Sequence, residues 1–205
     1  NSMMLLAPNL LTSGSNTYIA TMADGAVKDI SVNANGLNRI LYRFALSTST
    51  FTPDTIPPVL LNYTANGESG VFEFFFDEVM DCGLTDVNNI RLQYARFIGT
   101  GTDYMSLSNE SSYTSCENRY TMSIMVILGA DDMLLLKTFL TMFKTKDTSY
   151  LRPLADSFFD AVGNSISAIP DGRAVQVQTF TMETSRPLLK SFTVTSQKLL
   201  VLTFD

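Results

Sequence analysis

The chain repeats itself, and that constrains its fold more than any other feature. Asp54-Thr55-Ile56-Pro57-Pro58-Val59-Leu60 returns as Glu183-Thr184-Ser185-Arg186-Pro187-Leu188-Leu189, and 183 minus 54 sets a period of 129 residues. The match runs both ways. Upstream, Ala45-Leu46-Ser47 pairs with Ala174-Val175-Gln176, and Thr17-Tyr18-Ile19 pairs with Ser149-Tyr150-Leu151. Asp24, Asp29 and Asn33 pair with Asp156, Asp160 and Asn164. Downstream, Phe74-Phe75-Phe76-Asp77 pairs with Leu202-Thr203-Phe204-Asp205. Whatever fold one period adopts, its neighbours should adopt too.

The division follows from the period. Residues 1–53 read as the C-terminal part of one unit, 54–182 as a complete unit, and 183–205 as the first strands of the next. A chain divided this way reads as a piece of something longer. Met3-Met4-Leu5-Leu6 has the look of a signal-peptide core, but no basic residue precedes it. The repeat instead pairs Leu5 and Leu6 with the Leu134-Leu135-Leu136 region of the complete unit.

Within the complete unit, apolar residues alternate with polar ones. Phe72, Phe74 and Phe76 share a face with Glu73 opposite, and Ile90, Leu92 and Tyr94 alternate with Arg91 and Gln93. Tyr120, Met122, Ile124, Val126 and Leu128 form the longest stripe. Each pattern implies one buried and one wet face, so two sheets stacked face to face are expected. Phe72, Phe74, Phe76, Ile90, Leu92, Tyr120, Met122, Ile124 and Val126 should meet in one core. One stretch breaks the period. Asp131-Asp132 precedes Met133 to Leu140, where Leu135/Phe139 and Leu136/Leu140 stand four apart. This predicts a short helix at a sheet edge with an acidic N-cap. The expected fold is all-β: tandem immunoglobulin-like sandwich repeats with one short edge helix per repeat.

Composition excludes several functions. The 205 residues are 45% hydrophobic, carry a net charge of −6 and contain no histidine. No run is dense in Lys or Arg, so a nucleic-acid-binding face is not expected. Without histidine the commonest general base and zinc ligand are missing. Asp131-Asp132 resembles a catalytic carboxylate pair, but adjacent residues rarely aim at one point, and an N-cap explains them. No enzyme activity is expected. The most apolar stretch, Ile124 to Leu140, contains Asp131 and Asp132, so no membrane span is expected.

The repeat opens with Asp54-Thr55-x-Pro57-Pro58-x-Leu60 and continues through Phe76-Asp77-Glu78-Val79, Asn89-Ile90-Arg91-Leu92-Gln93 and Asp103-Tyr104-Met105-Ser106-Leu107. It closes with Thr148-Ser149-Tyr150-Leu151, Asp160-x-x-Gly163-Asn164 and Val177-x-Thr179-Phe180-Thr181. In these motifs the chain resembles the long tandem repeat of stramenopile extracellular proteins, the diatom sexually induced glycoproteins and the tubular mastigoneme (flagellar hair) proteins. Ig-like repeats of bacterial surface-layer and adhesion proteins share the Pro-Pro opening and the Asp-x-x-Gly-Asn close. The second junction departs from the pattern, with Ser185-Arg186-Pro187 carrying one proline where the first has two. The resemblance implies a secreted protein at the cell or flagellar surface, with a structural or adhesive role and no catalytic residues to carry over.

In that setting Cys82 and Cys116, the only cysteines, are expected to pair within one unit. Free buried thiols or bonds to other chains are the alternatives. Asn109-Glu110-Ser111 and Asn62-Tyr63-Thr64 are glycosylation sequons. Asn109 lies in a polar run and is the better acceptor for an N-linked glycan; Asn62 sits in a strand. Asp24, Asp29, Asp156 and Asp160 could hold calcium at unit junctions, or simply staple turns, and the turn reading is favoured. Otherwise no cofactor is expected. The expected function is a structural repeat of a secreted glycoprotein forming an extracellular filament such as a flagellar hair. Its partners would be other repeats of the same protein and neighbouring copies. The alternative is a cell-surface adhesion or mating-recognition module that binds glycans or proteins.

Overall fold

The computed structural model describes residues 18–20, 23–25, 27–101, 104–110, 112–197 and 199–204. The apolar Met3–Leu6 stretch and Asp103 lie outside the described residues. The molecule is predominantly β, with one α-helix among the described residues.

In chain order, β1 is Tyr18–Ile19, β2 Leu46–Ser47, β3 Leu60–Asn66, β4 Val71–Asp81, β5 Ile90–Gln93, β6 Tyr104–Ser106 and β7 Tyr113–Ser115. Then follow β8 Tyr120–Ile127, helix α1 Ala130–Thr138, β9 Tyr150–Pro153, β10 Val175–Gln176, β11 Thr179–Thr181, β12 Leu189–Val194 and β13 Leu200–Phe204. A five-stranded sheet has the order β11-β3-β4-β8-β7, and a four-stranded sheet the order β10-β9-β5-β6. All their pairings are antiparallel except β11 with β3, which is parallel.

The two sheets contribute to one buried core. The alternation in β3 and β4 sends Tyr63, Ala65, Phe72, Phe74 and Phe76 inward, and Ile124 and Val126 join them from β8. Ile90, Leu92, Met105 and Leu151 come from the four-stranded sheet. Phe158, between β9 and β10, packs edge-on against Phe76 with ring centroids 5.0 Å apart and lies 5.3 Å from Phe74. The Tyr63 side chain is fully buried, and its hydroxyl donates to the Ser149 carbonyl at 3.0 Å, satisfying the polar tip inside the core.

Two expectations about the core need correction. Met122 is 52% exposed and Tyr120 only half-buried. The cause is a register jump between Phe75 and Met80, where residues 76–79 of β4 stand opposite Met122 alone. Extra residues on one strand of a pair bend it and increase its twist. The period-two stripe of β8 is therefore inward at Ile124 and Val126 but not at Met122.

The helix also differs from expectation. It starts earlier, its N-cap is Gly129 with no side-chain cap, and Asp131 and Asp132 occupy its first turn, where carboxylates complement the helix dipole. The acidic N-cap reading is thus wrong. Asp132 is buried and accepts from the Ser108 amide at 2.9 Å and from the Ser112 hydroxyl, tying the loop before β7 to the helix. Leu136 is buried and Met133, three residues earlier, packs against the core, whereas Leu135 and Leu140 are exposed.

The strand pairings recur along the chain. Tyr18↔Ser47 and Ile19↔Leu46 in β1–β2 match Tyr150↔Gln176 and Leu151↔Val175 in β9–β10. The β12–β13 hairpin copies β3–β4: Leu189↔Phe204, Ser191↔Thr203, Phe192↔Leu202, Thr193↔Val201 and Val194↔Leu200 match Leu60↔Phe76, Asn62↔Phe75, Tyr63↔Phe74, Thr64↔Glu73 and Ala65↔Phe72. Each hairpin has its irregularity at the same place, after Leu60 and after Leu189, and 189 minus 60 is 129.

Substitutions distinguish the observed core from simple alternation. Phe74→Ala should cost about 3–5 kcal/mol in urea unfolding, as expected for a truncated buried ring. Met122→Gln should stay within about 0.5 kcal/mol of the parent, because its side chain faces water.

Candidate functional site

The candidate residues fall at three kinds of place among the described residues. The first is the far end of the β4–β8 pair. Cys82 follows β4 directly, Cys116 follows β7, and the two are disulfide-bonded with Cα atoms 6.0 Å apart. Cys82 is buried and Cys116 exposed. Beside the bond, the buried Asp81 carboxylate accepts from Arg119 Nε at 2.9 Å and from Nη2 at 2.7 Å, and also from the Gly83 amide. The Cys82 amide donates to the Arg119 carbonyl at 2.7 Å. A covalent bond, an ion pair and a backbone bond thus close the same corner, just beyond the register jump in β4.

The second place is the loop between β6 and β7. Asn109 is exposed; its amide donates to Asn88 Oδ1 and its side-chain Nδ2 to Asp86 Oδ1, both at 2.9 Å. Ser111 of that sequon lies outside the described residues. Asn62 is half-buried within β3, and its Oδ1 is buried without a hydrogen-bond partner. Of the two sequons, only Asn109 presents an exposed asparagine.

The third place is acidic. Asp160 is buried, and its Oδ1 accepts from the amides of Val162, Gly163 and Asn164 at 2.7–2.9 Å, while Oδ2 accepts from Asn164 Nδ2 at 2.8 Å. Asp29 does the same in the earlier segment. Its Oδ1 accepts from Ser31 and Asn35 amides at 3.1 and 2.9 Å, and its Oδ2 from Asn35 Nδ2 at 3.1 Å. The flanking backbone bonds repeat too: Leu37 N to Val27 O matches Ile166 N to Phe158 O, and Asp29 N to Asn35 O matches Asp160 N to Asn164 O.

This geometry corrects two sequence pairings. Asn164 corresponds to Asn35 rather than Asn33, because the earlier turn is two residues longer; 164 minus 35 restores the 129-residue period. The left-handed position of the preceding turn is Gly25 (φ 73°) in one segment and Asp156 (φ 61°) in the other, so Asp24 corresponds to Ala155. Glycine meets that conformation without strain; Asp is among the few other residues that tolerate it.

Asp24, Asp29, Asp156 and Asp160 therefore do not gather into a calcium cage. Asp24 instead accepts from the Arg39 amide at 2.7 Å. The structure brings Asp160 together with two acids not legible as its partners, Asp54 of the linker and Glu78 of β4, with carboxylate oxygens within 4.8 Å of one another. Asp54 stands in the junction motif and Glu78 in the Phe-Asp-Glu strand end, which hinted at both but not at their meeting. These three offer an oxygen each to a cation, although both oxygens of Asp160 are already engaged by its own turn. Burial, reinforced by Asp160, Asp54 and Asp77, pushes the Glu78 carboxyl up to about 7.

Reducing the disulfide or replacing both cysteines by serine should cost roughly 3–4 kcal/mol, the chain-entropy value for a 34-residue separation; urea titration with and without reductant measures it. Glu78 gives a pH signature. A raised pKa leaves its contribution intact below about 4.5 and loses it as pH rises through about 7, when the folded state must carry the repelled charge. Glu78→Gln should therefore melt with the parent at pH 5 and about 2–4 °C above it at pH 8, allowing for solvent screening of a partly exposed group.

Compared with protein-family models, with characterised proteins and with solved structures, the chain matches none.

Proposed function

We propose that this chain is a segment of a secreted glycoprotein built from tandem Ig-like sandwich repeats, with residues 54–182 as one full repeat, and that the repeats assemble into an extracellular filament such as a flagellar hair. The observation that carries the reading is the duplication of pairing registers and turn hydrogen bonds at a spacing of about 129 residues, down to the strand irregularity at Leu60 and Leu189. Two sheets closing on one core suit a sandwich. The Cys82–Cys116 bond suits an oxidising compartment. Exposed Asn109 suits an N-linked glycan.

The reading also gives the β12–β13 hairpin a purpose. Leu189, Phe192, Val194, Leu200, Leu202 and Phe204 correspond to inward residues of β3–β4, and all six are exposed. In a tandem array they become the core face of the following repeat, and the polar positions between them its outer face.

Two experiments test the proposal. Residues 54–182 expressed alone should unfold in one cooperative transition; a fragment that melts without cooperativity rejects the boundaries. Electron microscopy of the native protein should show a regular polymer. Isolated surface stalks would reject the filament and favour adhesion. Peptide mass spectrometry of the same material should find glycan on Asn109.

A further inference from the structure

We propose that the β3–β11 pair is a shear clamp through which the unit carries tension along the chain. The inference rests on the tandem reading for its biological setting, but its geometry belongs to this chain alone. The incoming segment, 54–59, leads directly into β3, which runs from Leu60 to Asn66. The outgoing segment, 182–188, leaves directly from β11, which ends at Thr181. The two strands are neighbours and parallel, with Thr179↔Thr64, Phe180↔Ala65 and Thr181↔Asn66. Tension therefore pulls β3 backward and β11 forward along a common axis. Every bond between them is loaded together, and the chain from 68 to 177 lies behind the pair, out of the main load path until it slips.

A parallel pairing is uncommon in a sheet otherwise joined antiparallel, and its consequence here is topological. An antiparallel last strand would bring the chain out at the end where it entered, and tension would peel the strands apart one bond at a time. The parallel strand sends the chain out at the opposite end.

The clamp is reinforced beyond its short ladder. At one end the Gln178 amide donates to the Tyr63 carbonyl at 2.8 Å, and at the other the Gly67 amide donates to the Thr181 carbonyl at 2.8 Å. Lys146 Nζ holds the Gln178 carbonyl at 2.9 Å. The Phe180 ring meets Phe143 edge-on at 6.2 Å, and Phe143 in turn meets buried Phe72 at 5.4 Å, so sliding β11 would drag an aromatic side chain out of its packing. Gly67 permits the close approach: a Cβ there would stand 3.2 Å from the Thr181 carbonyl oxygen and 3.3 Å from the Phe180 ring.

The flanking segments are tied down separately. Asn164 Nδ2 reaches the Asp54 and Ile56 carbonyls at 3.3 and 3.4 Å, and the Val59 amide donates to Asp77. On the outgoing side Lys137 pairs with Glu183 at 2.7 Å, and the Ser185 hydroxyl donates to Glu68. These exposed ties give way first and leave the clamp as the barrier.

The test is single-molecule pulling on the 205-residue chain with handles at two pairs of positions. Handles at 57 and 184 shear the pair; handles at 68 and 184 peel it. The rupture force should be at least about twofold higher in shear, since bonds loaded together resist more than bonds loaded in turn. Equal forces overturn the clamp. Reduction of the disulfide should lengthen the extension released in shear by roughly 120 Å, 34 positions at about 3.6 Å each. An unchanged extension overturns the claim that residues 82–116 lie behind the clamp. Gln178→Pro, which deletes the donor to Tyr63, should bring the shear force toward the peeling value. If that variant fails to fold, the directional comparison on the unaltered chain decides. A directional force in this chain combined with isolated stalks in the native material leaves the clamp standing and rejects the filament.

Discussion

The inner face of the β3–β4 hairpin has to be covered, and most of the buried core is arranged to cover it. Tyr63, Phe72, Phe74 and Phe76 put four aromatic rings on one side of two paired strands. Exposed together they would be a large apolar surface that water does not tolerate. The four-stranded sheet brings Ile90, Leu92 and Leu151 over them, and the loop between β9 and β10 adds Phe158. Phe143 and Phe180 seal the end where β11 joins. Even the polar contact that crosses the core, Tyr63 to Ser149, belongs to this face. In β12–β13 the residues at matching register positions, Phe192, Leu200, Leu202 and Phe204, lie exposed.

Several acidic residues in this molecule accept from backbone amides. Asp160 and Asp29 staple turns, Asp81 takes a guanidinium and an amide, and Asp171 accepts from the amides of Ile98, Gly99 and Gly172. Loops between short strands leave many N–H groups outside any ladder, and short carboxylates satisfy them locally. That is why a list of acids spaced along the sequence resembled a calcium set while only one of its members, Asp160, met other carboxylates. It also explains why Glu78 is the exceptional acid. Burial, with carboxylates rather than amides as its charged neighbours, pushes its carboxyl up to about 7.

The period in the sequence and the pattern of hydrogen bonds agree more closely than residue identities do. Phe158 is replaced by Val27, yet the bonds of the Asp29 and Asp160 turns are kept, whereas around Gly25 and Asp156 the amide changes partner from the Leu37 carbonyl to the Ser165 hydroxyl. Backbone geometry tolerates side-chain change wherever the capping group survives, and here the Asp and the Asn two turn-lengths on survive. Where loop length varies, matching by residue number slips. Asn33 was paired with Asn164 for that reason, although Asn35 makes the bonds.

The sequence by itself determined the β class and most of the core, because period-two alternation is a local property that each strand carries on its own. Phe72, Phe74, Phe76, Ile90, Leu92, Ile124 and Val126 are buried as their alternation requires. The pairing of Cys82 with Cys116, which the structure shows, was expected from the secreted setting that the resemblance implies and not from any local pattern. Tertiary structure decided the rest. Met122 turned outward because β4 carries extra residues opposite it, which β8 cannot reveal. Asp132 became a tie to the β7 loop rather than a cap because the helix is capped at Gly129 and begins at Ala130. Asp54, Glu78 and Asp160 met because a linker, a strand end and a turn converge, and the parallel seating of β11 on β3 arose from the order in which distant strands fill the sheet. Each of these depends on which segments meet in space, and no spacing along the chain encodes that.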